Sequence, residues 1–85
     1  MREFKYTITD PMGMHARPAG QFVKEASRYQ SSITLTKGGK SVDVKKIFAV
    51  MGLAVKCGEE VKISLDGADE DEAADGLRDF MEENL

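Results

Sequence analysis

The only histidine of the chain, His15, stands where a helix is predicted to begin. Pro18 follows three residues later, and proline is tolerated in the first turn of a helix but not one turn further on. We therefore expect His15 to be the residue just before the first helical turn. Unpaired backbone N–H groups and the positive end of the peptide dipoles meet at such a position, and both favour a phosphate-sized anion.

The chemistry that suits this position is phosphoryl transfer through the imidazole ring. The N–H groups of Ala16 and Arg17 can hold phosphoryl oxygens, and the Arg17 guanidinium can add a forked, charge-assisted contact. Phosphoryl transfer depends mainly on alignment and charge stabilisation. It therefore does not require the base or metal ion that the sequence gives no sign of. The alternative is that His15 is an ordinary surface residue, because a short motif also arises by chance.

Hydrophobic periodicity predicts the elements that position this histidine. Four apolar residues from Ala19 to Ala26 recur at helical spacing and predict a first helix that runs to about Tyr29. Alternating apolar and polar residues predict four strands, near residues 4–8, 33–36, 41–44 and 61–65. Adjacent glycines at residues 38–39 predict a tight turn between the second and third strands, which should therefore pair antiparallel. An acidic start at residues 69–72, followed by apolar residues at helical spacing, predicts a helix at the end of the chain.

The uncharged segment 47–55 remains open between a strand, a short helix and a core segment. In a helix, Ile47, Phe48 and Met51 would share one apolar face. They would form either an exposed docking patch beside His15 or part of the core. With a helix here, the element order is β-α-β-β-α-β-α, and one antiparallel sheet covered on one side by helices is the simplest α+β arrangement. The length predicts a single domain over residues 1–85.

Charge and composition restrict the function classes. The net charge is −3, but residues 1–46 carry nine Lys and Arg against four Asp and Glu, whereas residues 47–85 carry three against eleven. If the basic residues of the first part gather near His15, they would form a rim that attracts acidic partners. The alternative is that they are solvated charges spread over several faces. The members of this predicted rim are Arg17, Lys24, Arg28, Lys45 and Lys46.

Several partners and activities are not expected. Unclustered basic residues and a negative net charge argue against nucleic acid. The chain has no apolar run of membrane-span length and no signal-peptide pattern, so we expect a cytoplasmic protein without membrane insertion. One histidine and the single Cys57 supply neither a metal site, nor a catalytic triad, nor an internal disulfide. A hydrolytic or metal-dependent enzyme is therefore not expected.

Three runs of sequence resemble HPr, the histidine-containing phosphocarrier family of the bacterial phosphoenolpyruvate-dependent sugar phosphotransferase system. They are Gly-Met-His-Ala-Arg-Pro-Ala at residues 13–19, residues 40–53, and Gly-Ala-Asp-Glu at residues 67–70. With the chain length, the resemblance covers essentially the whole chain. It implies an open-faced sandwich of four strands and three helices.

The resemblance also implies a function and a set of partners. His15 would accept a phosphoryl group from phosphorylated enzyme I and pass it to an enzyme IIA domain, with Arg17 stabilising the group. The chain would act as a stoichiometric carrier and a monomer, without a cofactor. The residues implied in partner docking are Ala19, Gly20, Lys24, Ile47, Phe48 and Met51. The alternative function is that of an HPr-like regulatory module, which docks on enzymes or transcription factors.

Lys46 departs from the family pattern. Many HPr proteins of low-GC Gram-positive bacteria carry a regulatory serine just before the second helix, and here lysine takes that position. Lysine has no hydroxyl to phosphorylate, and its charge is unfavourable at a helix N-terminus. We therefore expect seryl regulation to be absent or altered.

Overall fold

The computed structural model describes residues 1–85 and contains the seven elements in the predicted order. The strands are β1 (Arg2–Thr7), β2 (Ser32–Lys37), β3 (Lys40–Asp43) and β4 (Glu60–Asp66). The helices are α1 (Ala16–Ala26), α2 (Ile47–Gly52) and α3 (Glu70–Asn84). All strand pairs are antiparallel, and the sheet order is β1-β4-β2-β3.

The helices cover one face of this sheet, because only one set of alternating strand residues is buried. Leu35 and Ile63 lie fully within the core, while Thr36 faces the open side and its hydroxyl lies 2.8 Å from that of Ser41. One hydrophobic cluster joins the buried face of the sheet to the three helices. The predicted α+β open-faced sandwich is confirmed.

Helix α1 is shorter than predicted, since it ends at Ala26 rather than near Tyr29. The N–H groups of Arg28 and Tyr29 bond to carbonyls three residues earlier, and the Ser27 hydroxyl donates to the carbonyl of Val23 at 2.8 Å. The four-residue hydrogen-bond spacing of an α-helix is thus replaced by the tighter spacing of a turn.

The segment 47–55, which the sequence leaves open, forms a six-residue helix and then a loop. Helix α2 ends at Gly52, and Ala54 adopts a left-handed backbone conformation with φ of 50°. No helix of the chain combines the length with the apolar composition that a membrane span requires.

Candidate functional site

His15 occupies the position predicted for it, directly before α1. Its backbone is extended, with φ of −79° and ψ of −175°, and its carbonyl accepts the N–H of Ala19 at 3.0 Å. The ring is half-buried and makes no capping hydrogen bond to the helix. The imidazole nitrogens are therefore available for chemistry.

The first turn of α1 presents free donors beside this ring. The N–H groups of Ala16 and Arg17 have no acceptor within the protein, and Pro18 has no N–H to offer. Two unpaired donors and the positive end of the helix dipole consequently lie next to His15, an arrangement suited to an anion.

His15 lines an open depression of about 310 Å³. The other residues around this depression are Asp10, Arg17, Pro18, Gln21 and Asn84. Arg17 is exposed and takes part in none of the ion pairs of the protein, so its guanidinium is free to meet an anion. A larger cleft of about 500 Å³ lies along β2 and β3, but it contains neither His15 nor Arg17.

The loop before His15 is held in place by a close backbone approach. Gly13 has a positive φ of 67°, and its N–H donates to the carbonyl of Asp10 at 2.8 Å. The next residue, Met14, is buried, and its N–H donates to the carbonyl of Val55 at 2.9 Å. Glycine is required at residue 13 because a Cβ there would lie 2.5 Å from the same Val55 oxygen.

The end of the chain also reaches the depression, where Asn84 is one of the lining residues. The backbone oxygen of Leu85 accepts three hydrogen bonds, from the N–H of Thr9 at 2.5 Å, the Thr9 hydroxyl at 3.0 Å and the N–H of Asp10 at 2.8 Å. The Leu85 side chain is buried in the core. The C-terminal residue therefore fixes the segment that leads to His15.

Sequence reasoning missed four residues of this site: Asp10, Gln21, Asn84 and Leu85. Gln21 could have been found, because it follows Arg17 by four residues and so lies on the same face of α1. Asn84 and Leu85 are about seventy residues away from His15 along the chain. No sequence signal links them to the histidine.

The structure decides the open question about α2 in favour of an exposed face. Phe48 is 85% exposed and Met51 is 39% exposed, while Ile47 is half-buried. The Ile47 side chain lies against α1, where its Cδ1 is 3.5 Å from the position that a Cβ on Gly20 would take. An apolar patch consisting of Ile47, Phe48 and Met51 therefore lies on α2, with its Ile47 end against α1. Lys24 of α1 is also exposed.

One predicted docking residue is wrong. Ala19, expected to dock partners, has no exposed surface because it packs into the core. For the basic residues, the structure favours the alternative, a spread over several faces: Arg28 pairs with Glu25 at 3.3 Å, and the Lys45 ammonium donates to the carbonyl of Tyr29 at 2.7 Å. Both contacts lie at the far end of α1, roughly 16 Å from its start. Only Arg17 of the five predicted rim residues lines the depression.

Lys46 lies directly before α2, as the sequence predicts for the regulatory position. Its backbone is extended, its side chain is exposed, and it makes no capping hydrogen bond. The start of α2 therefore lacks the oxygen acceptor that serine, threonine, asparagine or aspartate would supply.

Comparison with known proteins gives a consistent result. The family model described as the PTS HPr component phosphorylation site matches residues 2–83. Phosphocarrier protein HPr of Mycoplasma capricolum is 42% identical over 81 residues, which cover 95% of this chain and 91% of the relative. The crystal structure of HPr from Thermoanaerobacter tengcongensis superposes with a TM-score of 0.93 at 43% identity and covers 96% of this chain and 92% of that one.

A further structural relative is Crh, the catabolite repression protein of Bacillus subtilis, which is described as a swapped, intertwined dimer. It has a TM-score of 0.78 at 40% identity, with coverage of 100% of this chain and 98% of Crh. The family model and the relatives all extend over nearly the whole chain. This chain therefore belongs to the HPr family, the phosphocarrier proteins of the phosphotransferase system.

Proposed function

We propose that His15 accepts a phosphoryl group from phosphorylated enzyme I and passes it to a histidine of an enzyme IIA domain. One observation carries the proposal: the half-buried His15 ring lies in the same depression as the unpaired Arg17 guanidinium and beside two unpaired backbone N–H groups. The proposed product, a phosphohistidine, would place a dianionic group where these three donors converge.

The transfer step needs only groups that this chain and its partner contain. The lone pair of a ring nitrogen of His15 forms the new N–P bond, and the N–P bond of the donor histidine breaks with its electron pair returning to the donor nitrogen. The N–H groups of Ala16 and Arg17 would hold the phosphoryl oxygens, and the guanidinium would balance their charge. The reverse sequence on a second partner returns His15 to its starting state, so the chain serves as a stoichiometric carrier.

Partner binding is assigned to the apolar patch of Ile47, Phe48 and Met51, together with Gly20 and Lys24 of α1. Exposed large apolar side chains are a common mark of protein interfaces, and a flexible methionine adapts to more than one partner. Lys24 would add an attraction for acidic partners. We further propose that the carrier acts in the cytoplasm as one domain and as a monomer.

Phosphorylation by enzyme I and phosphoenolpyruvate tests this function. We expect acid-labile phosphate on the wild type and none on His15→Ala. Arg17→Ala should be labelled more slowly, by a factor of about ten or more, because the phosphoryl dianion would no longer contact a cationic side chain of this protein. Arg28→Ala is the matched control, since it removes an exposed arginine at the opposite end of α1 and should be labelled normally. Label that persists on His15→Ala would refute the assignment.

The similarity to Crh favours one second candidate, a regulatory module that docks on enzymes or transcription factors. The same experiment separates the two functions. A module of this kind would bind partners through the patch but would take no label under conditions that label a known carrier. For either function, we propose that Lys46 prevents seryl phosphorylation, which mass spectrometry after incubation with the HPr kinase and ATP would check.

A further inference from the structure

We propose that Asp10 makes phosphorylated His15 a better phosphoryl donor, because its carboxylate places a negative charge in the depression that receives the phosphoryl group. The inference rests on the proposed function and adds a residue to it. Asp10, His15 and Arg17 line one depression of about 310 Å³, in which Pro18, Gln21 and Asn84 are uncharged. Asp10 is therefore the one acidic residue, and Arg17 the one Lys or Arg, among the residues that line the depression with His15.

The position of Asp10 is fixed by hydrogen bonds on three sides. Its N–H donates to the oxygen of Leu85 at 2.8 Å, and its carbonyl accepts the N–H of Gly13 at 2.8 Å. The side-chain Oδ1 accepts the N–H of Met12 at 2.8 Å, which closes a turn within the loop. The carboxylate is half-buried and belongs to no ion pair. Asp10 is therefore held at the depression, with no cation bound to it.

The distance between the Asp10 carboxylate and the phosphoryl group sets the strength of the repulsion. For scale we take a separation of about 8 Å, which is the Debye length at physiological ionic strength. A unit charge at about 8 Å from a phosphoryl group of charge −1.5 to −2 in water changes an equilibrium constant about four- to sixfold. Arg17 and the free N–H groups attract the same group, so Asp10 reduces the stability of the phosphorylated state without preventing its formation.

The Asp10 charge affects acceptance and donation of the phosphoryl group in opposite ways. When phosphorylated His15 gives up its group, its N–P bond breaks, the electron pair returns to the ring nitrogen, and the phosphorus bonds to the acceptor nitrogen. The charge beside Asp10 leaves with the phosphoryl group. Asp10 therefore favours transfer onward to the acceptor and opposes acceptance from the donor by the same factor.

The substitution Asp10→Asn tests this proposal because asparagine keeps an oxygen for the Met12 N–H and removes only the charge. Asp43→Asn is the matched control: Asp43 Oδ1 accepts the N–H of Lys45 at 2.9 Å with the same two-residue spacing, and it lies outside the depression. The measurement is the equilibrium constant for phosphoryl exchange between enzyme I and each carrier, at low salt and at about 0.5 M salt.

We expect Asp10→Asn to shift the equilibrium about four- to sixfold toward the phosphorylated carrier at low salt, and less than twofold at high salt. Asp43→Asn should match the wild type. Asp10→Ser can also accept a hydrogen bond that closes the turn, and it should behave like Asp10→Asn. This second variant shows whether the shift comes from loss of the charge rather than from the asparagine amide. If the wild type is phosphorylated but Asp10→Asn and Asp43→Asn have equal equilibrium constants for phosphoryl exchange, this proposal alone is overturned. If the wild type takes no label, the proposed function is overturned as well.

Discussion

Replacing Gly13 by alanine tests whether the loop before His15 is held by the backbone contact with the segment after α2. The substitution has two costs. Gly13 has a left-handed backbone, with φ of 67°, which costs an alanine about 1–2 kcal/mol. The added Cβ would also lie 2.5 Å from the Val55 oxygen and 2.8 Å from the Lys56 Cα, and backbone atoms cannot rotate away as a side chain can. Overpacking of this kind costs about 1–3 kcal/mol, so we expect a total loss of about 2–5 kcal/mol.

Two other glycines separate these costs. Gly58 also has a positive φ, of 88°, but nothing lies within 4 Å of its added Cβ, so Gly58→Ala should lose only about 1–2 kcal/mol. Gly52, in α2, has neither a positive φ nor a close neighbour, and alanine there should be neutral or stabilise by up to about 1 kcal/mol.

Urea unfolding of the three variants measures these differences, with equal m-values as the condition for comparing midpoints. The expected order of destabilisation places Gly13→Ala above Gly58→Ala and Gly52→Ala last. If Gly13→Ala costs no more than Gly58→Ala, the loop is free to move away from Val55 and the packing argument fails. Because the same loop leads to His15, we also expect slower phosphorylation of Gly13→Ala alone among the three.

Three further predictions concern the remainder of the fold. A Cβ on Gly76 in α3 would overlap the Tyr29 hydroxyl oxygen. Gly76→Ala should therefore destabilise the wild type by about 1 kcal/mol or more, but stabilise a Tyr29→Ala background by up to about 1 kcal/mol. Additive changes in unfolding free energy in this double-mutant cycle would contradict the contact. The Ser31 hydroxyl and then the Gln30 N–H hold the pKa of Asp69 below its ordinary value. The free energy that ionised Asp69 contributes to folding should therefore be complete above about pH 4 and be lost as the pH falls through the lower pKa of the folded state. The difference in urea midpoint between the wild type and Asp69→Asn should narrow on acidification. A difference that widens would contradict the prediction. Lys46→Asn should stabilise the chain by about 0.5–2 kcal/mol through a capping bond at the start of α2, and an unchanged thermal midpoint would show that this helix start does not limit stability.

Much of the architecture could be predicted because it depends on local patterns. Alternation at residues 33–36 and 61–65 reflects a sheet with one buried face, and the glycine pair at residues 38–39 marks the turn between two of its strands. The position of His15 before α1 followed from Pro18, since proline restricts where a helix can start. The end of α1 was predicted less well, because the turn bonds of residues 27–29 replace the helical ones without a change in hydrophobicity.

Gly76 shows the limit of local reasoning. Within the sequence it is only an unfavourable residue in the middle of a helix. The structure gives the reason: Tyr29, from the turn after α1, approaches the α3 backbone so closely that an added Cβ would overlap its hydroxyl oxygen unless the Tyr29 side chain moved. A cost in local helix propensity is thus required by packing between two elements distant in sequence.

The sequence by itself determined six of the seven elements, the place of the histidine at a helix start and its arginine neighbour, because these depend on residues within one or two turns of each other. It left open whether the segment that forms α2 is a helix. Only the tertiary structure decided that Phe48 is exposed, that Ala19 is buried, and that Asp10 and Asn84 share a depression with His15. The physical reason is that burial and proximity depend on which elements pack together. Hydrogen bonds from Thr9 and Asp10 to Leu85 join residues more than seventy positions apart, and no local pattern records such a contact.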